Sequence, residues 1–198
     1  MNSKSLVLLT ISSLVLIIIL SLTLLILPDV GNSIAKSLGL SSEFQTVRSS
    51  SSGIVEQVKV KRVIDGDTIE LSDGRRIRYL NIDTPETVKA GTPVMCWGPE
   101  AKEFNKKSIE NQDAWLLPDK ENTDRFNREL RIIFLNPDDA NSRDASKSLN
   151  AELIKRGMAQ EKSYSPNTTY RKNFQQLELQ AKNNKVGAWG NCQNPFRA

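Results

Sequence analysis

Four short segments concentrate the side chains able to do chemistry. They are Asp65-Gly66-Asp67-Thr68, Arg78, Asp83-Thr84-Pro85-Glu86 and Asp124-Arg125-Phe126-Asn127-Arg128. Together they supply carboxylates and guanidiniums. Two carboxylates brought into one site repel unless a proton or a cation stands between them. A hard divalent ion bound by oxygen meets that need, and Ca2+ accepts irregular oxygen cages more readily than Mg2+. A guanidinium offers a planar fork of donors to phosphate or carboxylate, which lysine does not copy. Each piece alone also has a plainer reading. Asp-Gly-Asp is an ordinary turn, a lone strand arginine is a solvated charge, and Asp-Thr-Pro-Glu starts helices with proline at the first position. The combination carries more weight than the parts.

Absences narrow the chemistry further. The 198 residues include no histidine and only two cysteines, Cys96 and Cys192. Ser-His-Asp triads, histidine-ligated metals and imidazole acid–base catalysis are thereby excluded, and a structural zinc site lacks ligands. Catalysis must come from carboxylates, arginine, lysine, tyrosine or a metal held by oxygen. The net charge of +4 suits a polyanionic partner, although a modest basic excess is also common on ordinary surfaces.

The elements that must position these groups follow from patterning. Val55, Val58, Val60, Val63 and Ile64 mark a β-branched first strand, and 68–71 a second. Ser72-Asp73-Gly74 is a hairpin turn, and 76–82 reads as the returning strand. That turn places Asp67 and Asp83 together at the open end of the hairpin. Arg78 and Asp83 are five residues apart, so a regular strand would send them to opposite faces. Either Asp83 lies past the strand end or a bulge intervenes. Gly98-Pro99-Glu100 opens a helix to about Asn111, with Ala101, Phe104 and Ile109 as its apolar positions. Residues 114–117 and 130–135 read as the fourth and fifth strands. Residues 147–156 read as a helix stopped by Gly157, and 169–184 as a longer one with Tyr170, Phe174, Leu177 and Ala181 on one face. The stretch 136–146 carries no clear pattern, and Asp138-Asp139 reads as a solvated turn.

The N-terminus differs in kind. Residues 6–27 form an uncharged apolar run that would span roughly 33 Å as a helix, enough for a bilayer core. Lys4 before the run and Asp29 after it orient the bulk of the chain outward. The expectation is a transmembrane anchor over 1–28, a Ser-rich linker over 29–53, a folded domain over 54–193 and a tail over 194–198. The domain would then be extracytoplasmic on a single-pass anchor. A small-residue site at Ser33-Ile34-Ala35 leaves cleavage and secretion open.

In order, spacing and residue type, the chain from 54 to 189 resembles the staphylococcal nuclease (thermonuclease) family. The likeness rests on Val63-Ile64-Asp65-Gly66-Asp67-Thr68, Arg78 ahead of Asp83-Thr84-Pro85-Glu86, and Trp97-Gly98-Pro99-Glu100-Ala101. It continues through Asp124-Arg125-Phe126-Asn127-Arg128, Leu153-Ile154-Lys155-Arg156-Gly157-Met158-Ala159 and Gly187-Ala188-Trp189. The resemblance implies an α+β fold, a five-stranded OB-type barrel with about three packed helices, and a Ca2+-dependent nuclease acting as a monomer on DNA and RNA to leave 3′-phosphates. It implies Asp67 and Asp83 as carboxylate ligands, Thr84 as a backbone carbonyl ligand, and Glu86 as the group that orients or deprotonates water. Arg78 and Arg128 would hold the scissile phosphate. The family commonly has Tyr-Gly where this chain has Phe126-Asn127. Asn tolerates positive φ, so the turn survives, while Phe126 lacks a hydroxyl for the substrate.

The alternative is a silent OB-type module that binds oligonucleotides or proteins. A lapsed enzyme would be expected to lose at least one of Asp67, Arg78, Asp83, Glu86 and Arg128, and none is lost. Cys96 and Cys192 are expected to pair. The expected compartment is oxidising, no cysteine is left over, and the implied fold puts the two segments near each other. Asn167-Thr168-Thr169 fits a glycosylation sequon, and chance is the favoured reading.

Overall fold

The computed structural model describes residues 54–87, 91 and 93–196. The apolar run 6–27 and the Ser-rich linker lie outside the described residues. Among the described residues no helix is long and apolar enough to cross a membrane.

Five strands close into a barrel in the order β1-β2-β3-β6-β5, where β1 is Glu56–Asp65, β2 Thr68–Leu71, β3 Arg76–Tyr79, β5 Asp113–Leu117 and β6 Glu129–Phe134. All neighbours are antiparallel except β3 and β6. In β1, Val58, Val60 and Val63 point inward while Lys59, Lys61 and Arg62 point out. Two register shifts, between Val60 and Arg62 and between Val63 and Asp65, bend this long strand. It can therefore pair β5 with one end and β2 with the other. Closure removes free edges, and Ile69, Ile77, Leu116, Ile132 and Ile133 are fully buried.

The expected returning strand 76–82 is broken. It stops at Tyr79, and Asn81 turns it with φ 61°. Ile82–Asp83 then forms a separate strand β4, paired with β7 (Gln160–Glu161) outside the barrel. Asp83 therefore lies past the strand end, the first of the two solutions to the parity problem. Among the described residues, no helix starts at Asp83-Thr84-Pro85-Glu86.

Helix α1 (Gly98–Ile109) starts with a proline in its first turn and buries Ala101, Asn105 and Ile109. The Tyr79 hydroxyl donates to Asn105 Oδ1 at 2.8 Å, and Asn105 Nδ2 donates to the Asp65 carbonyl at 3.2 Å. The stretch 136–146, without clear pattern in sequence, contains helix α2 (Pro137–Ser142), capped by Asn136, with Asp138 and Asp139 in its first turn. The helix expected over 147–156 is α3 (Leu149–Lys155), preceded by a 3-10 turn at Ala145–Lys147. Ser148 separates the two, because its side chain caps α3 by accepting from Ala151 N. Asn150 fastens α3 to the barrel: Oδ1 accepts from Ile133 N at 2.9 Å and Nδ2 donates to the Leu80 carbonyl at 2.9 Å. Helix α4 (Arg171–Asn183) buries Phe174 and Ala181, with Tyr170 and Leu177 packed beside them, as the helical spacing required. The short α5 (Ala188–Asn191) ends the domain. Among the described residues, three longer helices and two short ones accompany the barrel, against the expected three or so.

Candidate active site

The site begins at the turn between β1 and β2. A Cβ on Gly66 would lie 2.6 Å from Thr84 Oγ1, so only glycine lets Thr84 pack directly on this turn. Asp67 Oδ2 accepts from Thr84 N at 2.9 Å and Thr84 Oγ1 at 3.0 Å, and its Oδ1 accepts from Thr68 Oγ1 at 3.1 Å. Thr68 is paired across the hairpin with Arg78. That register sets Arg78 Nη2 3.0 Å from Asp67 Oδ2 and 2.9 Å from Asp83 Oδ1. Arg78 Nη1 donates to the Tyr79 and Ile82 carbonyls, both at 2.9 Å, which locks the guanidinium plane. The two carboxylates do meet, as the hairpin demanded, and the cation between them is Arg78.

Asp83 has a second cationic partner. Its Oδ2 accepts from Lys162 Nζ at 2.7 Å and from Gln160 Nε2 at 3.3 Å. Asp83 in turn raises the Lys162 pKa against the opposing effect of burial. Glu86 sits on a loop whose backbone pairs with Met95: Met95 N donates to the Glu86 carbonyl at 2.9 Å. The Glu86 carboxyl lies against Asp65, a buried group that also accepts from Thr87 Oγ1 at 2.6 Å and Gly66 N at 2.9 Å. Burial pushes the Asp65 carboxyl upward. The Thr87 and Gly66 bonds oppose this, and the neighbouring Glu86 and Asp67 add to it.

Arg128 arrives from the β5–β6 connection. Asn127 adopts φ 57°, the conformation that Asn was expected to tolerate there. Asp124 clamps this loop, accepting from Phe126 N at 2.9 Å and Arg128 N at 3.0 Å, and it ion-pairs the Arg128 side chain at 2.7 Å. Burial would raise the Asp124 pKa, but these bonds outweigh it and hold the carboxyl low. The Arg125 and Arg128 guanidiniums lie 4.8 and 5.4 Å from the centre of the Phe126 ring, which is 64% exposed. Arg78, Asp83, Arg125, Phe126, Arg128 and Lys162 share one cleft of about 610 Å3. Asp67 and Thr84 are buried, and Glu86 is half-buried beside Asp65.

The donor chemistry fits a hard cation. Asp65, Asp67, Asp83 and Glu86 are four carboxyl groups, against two nearby cations, Arg78 and Lys162. Every donor is oxygen, the ligand type a hard cation takes. Among the described residues, no three acidic, thiol or imidazole side chains form a ready metal cluster. Two carboxylates would therefore need a backbone carbonyl and water to complete a shell.

Four contributors had no role assigned from sequence. Asp65 lies within the Asp65-Gly66-Asp67 turn, whose neighbours point to the site. Asp124 lies four residues before Arg128, a spacing that suits a loop clamp. Asn105 and Lys162 carried no signal, since their partners are remote in sequence. Cys96 and Cys192 are bonded, with S–S 2.03 Å and Cα atoms 6.0 Å apart. Asn167 is 4% exposed, and its amide is used by Lys120 N, Glu121 N and the Glu121 carbonyl, so the sequon is closed to modification in the fold.

Known proteins resemble this chain in sequence. The family described as staphylococcal nuclease homologue matches residues 76–191. A thermonuclease of Staphylococcus hyicus is 40% identical over 136 residues, covering 67% of this chain and 75% of the relative. A thermonuclease of Staphylococcus intermedius is 39% identical over 137 residues, covering 68% and 76%. Endonuclease YncB of Bacillus subtilis (strain 168) is 34% identical over 137 residues, covering 67% and 61%. With the barrel, the carboxylate–guanidinium pairing and these likenesses in hand, the chain belongs to the staphylococcal nuclease homologue family and is a hydrolase, a nuclease that cleaves phosphodiester bonds.

Proposed function

We propose that this nuclease cleaves both DNA and RNA in a Ca2+-dependent reaction that leaves 3′-phosphate ends. The observation that carries the reading is Arg78, whose one guanidinium joins Asp67 and Asp83 at the edge of a cleft that also holds Arg128. Asp67, Asp83 and the Thr84 carbonyl would hold the ion. Calcium, when bound, would withdraw charge from a phosphoryl oxygen. Arg78 and Arg128 would donate to the equatorial oxygens as their charge grows. Glu86 would take the proton of the attacking water, which needs no histidine. Asp65, beside Glu86, would orient that carboxyl. One copy of the chain supplies all of these groups, so a monomer suffices.

The test is an assay of the full-length chain on single- and double-stranded DNA and on RNA, with calcium and with excess chelator, followed by end-group analysis. Activity that survives chelation, or products ending in 5′-phosphate, would overturn the reading.

We also propose that residues 6–27 anchor the chain with the nuclease domain outside the cytoplasm. The support is the length of the uncharged run and the charge asymmetry around it. Protease added to intact cells should release the domain. A fully protected domain would reverse the orientation, and a mature N-terminus at Lys36 would mean a secreted form.

A further inference from the structure

Among the described residues, Lys162 is the charged group touching Asp83 that the proposed mechanism does not use. Its position is set by backbone. Ile82 pairs with Glu161 and Asp83 with Gln160 in the β4–β7 ladder, and Lys162 N donates to the Asn81 carbonyl at 3.0 Å. The residue is therefore pinned beside the left-handed turn at Asn81, and its side chain reaches back across the ladder to Asp83 Oδ2 at 2.7 Å. Arg78 occupies the other oxygen of the same carboxylate at 2.9 Å. The two contacts differ in freedom. Arg78 is tied by two further carbonyl bonds and its side chain is 16% exposed. The Lys162 side chain is 43% exposed and faces the cleft that holds Arg125 and Arg128.

We propose that Lys162 is an internal counter-ion which a divalent cation must displace from Asp83, and that the displaced ammonium then takes a phosphate oxygen of the polynucleotide, so that cation and substrate bind cooperatively. The inference rests on the reading that Asp83 ligates the ion. Calcium bound to a carboxylate sits about 2.3–2.6 Å from its oxygen, and an ammonium already on that carboxylate is a like charge in the same small space. One of the two must leave, and the less constrained is Lys162. A four-carbon stem lets the ammonium move within the cleft without loss of the backbone pairing. A polyanion in the cleft attracts it away from Asp83, which frees the carboxylate for the cation. By reciprocity, the cation that expels Lys162 supplies the polyanion with one more partner.

The test is calorimetric titration of Ca2+ into the full-length chain, for wild type, Lys162→Gln and Lys162→Arg. Lys162→Gln should bind Ca2+ more tightly by about tenfold, the scale of ordinary site-to-site coupling. Lys162→Arg keeps the charge and should remain near wild type. A single-stranded phosphorothioate oligonucleotide should tighten Ca2+ binding to the wild type by a larger factor than to Lys162→Gln. Equal Ca2+ affinity in wild type and Lys162→Gln would overturn the displacement, and equal tightening by the oligonucleotide would overturn the cooperativity. If wild type and Lys162→Gln both fail to bind Ca2+, the cation site itself falls, and this inference with it.

Discussion

Asp124 holds Arg128 at two levels. Its Oδ2 accepts from both Nε and Nη2 of the guanidinium at 2.7 Å, while its Oδ1 accepts from the Arg128 backbone N–H at 3.0 Å. The clamp fixes loop and side chain together, so the guanidinium enters the cleft already oriented. Preorganised donors stabilise developing charge without reorganisation at the moment of reaction. Arg128→Ala should lower kcat by about 10²–10³, and Arg128→Lys should fall nearly as far because the fork is lost either way. Asp124→Asn keeps the loop's acceptor and weakens the ion pair, so a smaller loss of about tenfold is expected, in kcat more than in KM. Steady-state kinetics on single-stranded DNA decide the order. Full activity of Arg128→Ala would remove Arg128 from the site.

Gly66 and Thr84 meet with no room for a methyl group. A Cβ on Gly66 would come 2.6 Å from Thr84 Oγ1 and 2.8 Å from Thr84 Cβ. Gly66→Ala must push Thr84 off the turn, and Thr84 carries two of the hydrogen bonds that hold Asp67. Overpacking of this kind costs about 1–3 kcal/mol. Thermal unfolding should show the loss, and activity should fall with it because Asp67 is no longer held. An unchanged melting temperature would show that Thr84 yields freely.

The disulfide spans 96 residues. For a loop of about 100 residues the chain-entropy model gives up to roughly 4.7 kcal/mol, and real bridges often give less. Reduction, or Cys192→Ser, should therefore lower the melting temperature. Catalysis below that temperature should persist, since Met95, Glu86 and the start of α1 are joined by backbone bonds independent of sulfur. Calorimetry in the presence and absence of reductant checks the first expectation, and an activity assay at low temperature the second.

Glu70 gives the domain an acid-sensitive contact. The β1 register shift between Val60 and Arg62 lets the adjacent Lys61 and Arg62 both reach it. The hydrogen bonds from Lys61, and then Arg62, lower its pKa from 4.5 to about 2. A carboxyl depressed on folding stabilises the fold above its unfolded pKa and loses that contribution as pH falls through the folded one. Stability should therefore decline between about pH 4.5 and 2, and Glu70→Gln should flatten that part of the profile. Urea unfolding at a series of acid pH values measures the slope. An identical slope in Glu70→Gln would assign the acid sensitivity to other carboxylates.

Local signals carried much of the fold. Alternating β-branched residues marked β1, the Asp-Gly turn marked the β2–β3 hairpin, and helical spacing marked α4. These are short-range properties, set by side-chain alternation, turn dihedrals and one helix face at a time. Helix α2 was legible in principle, because Asn136-Pro137 is a cap followed by a first-turn proline, yet a six-residue helix has too little periodicity to stand out. The Arg78–Asp83 spacing required a strand end or a bulge before Asp83, but the place of the break after Tyr79 was not legible. Ile82 continues the apolar run, and the left-handed turn at Asn81 is stabilised from far along the chain, by Ser163 and the Asn167 carbonyl.

The sequence by itself determined which groups are available: carboxylates and guanidiniums without imidazole, spaced so that a tight hairpin sets Asp67 beside Arg78. That follows from residue type and turn geometry, which need no distant partner. Only the tertiary structure decided how their charges are balanced. Arg78 stands between the two aspartates because Asp83 has left the barrel on β4, and Lys162 reaches Asp83 across 79 residues because β7 pairs with that strand. Coulomb interactions depend on distance in space rather than along the chain, so the partners of a charged group are set by the packing of whole elements.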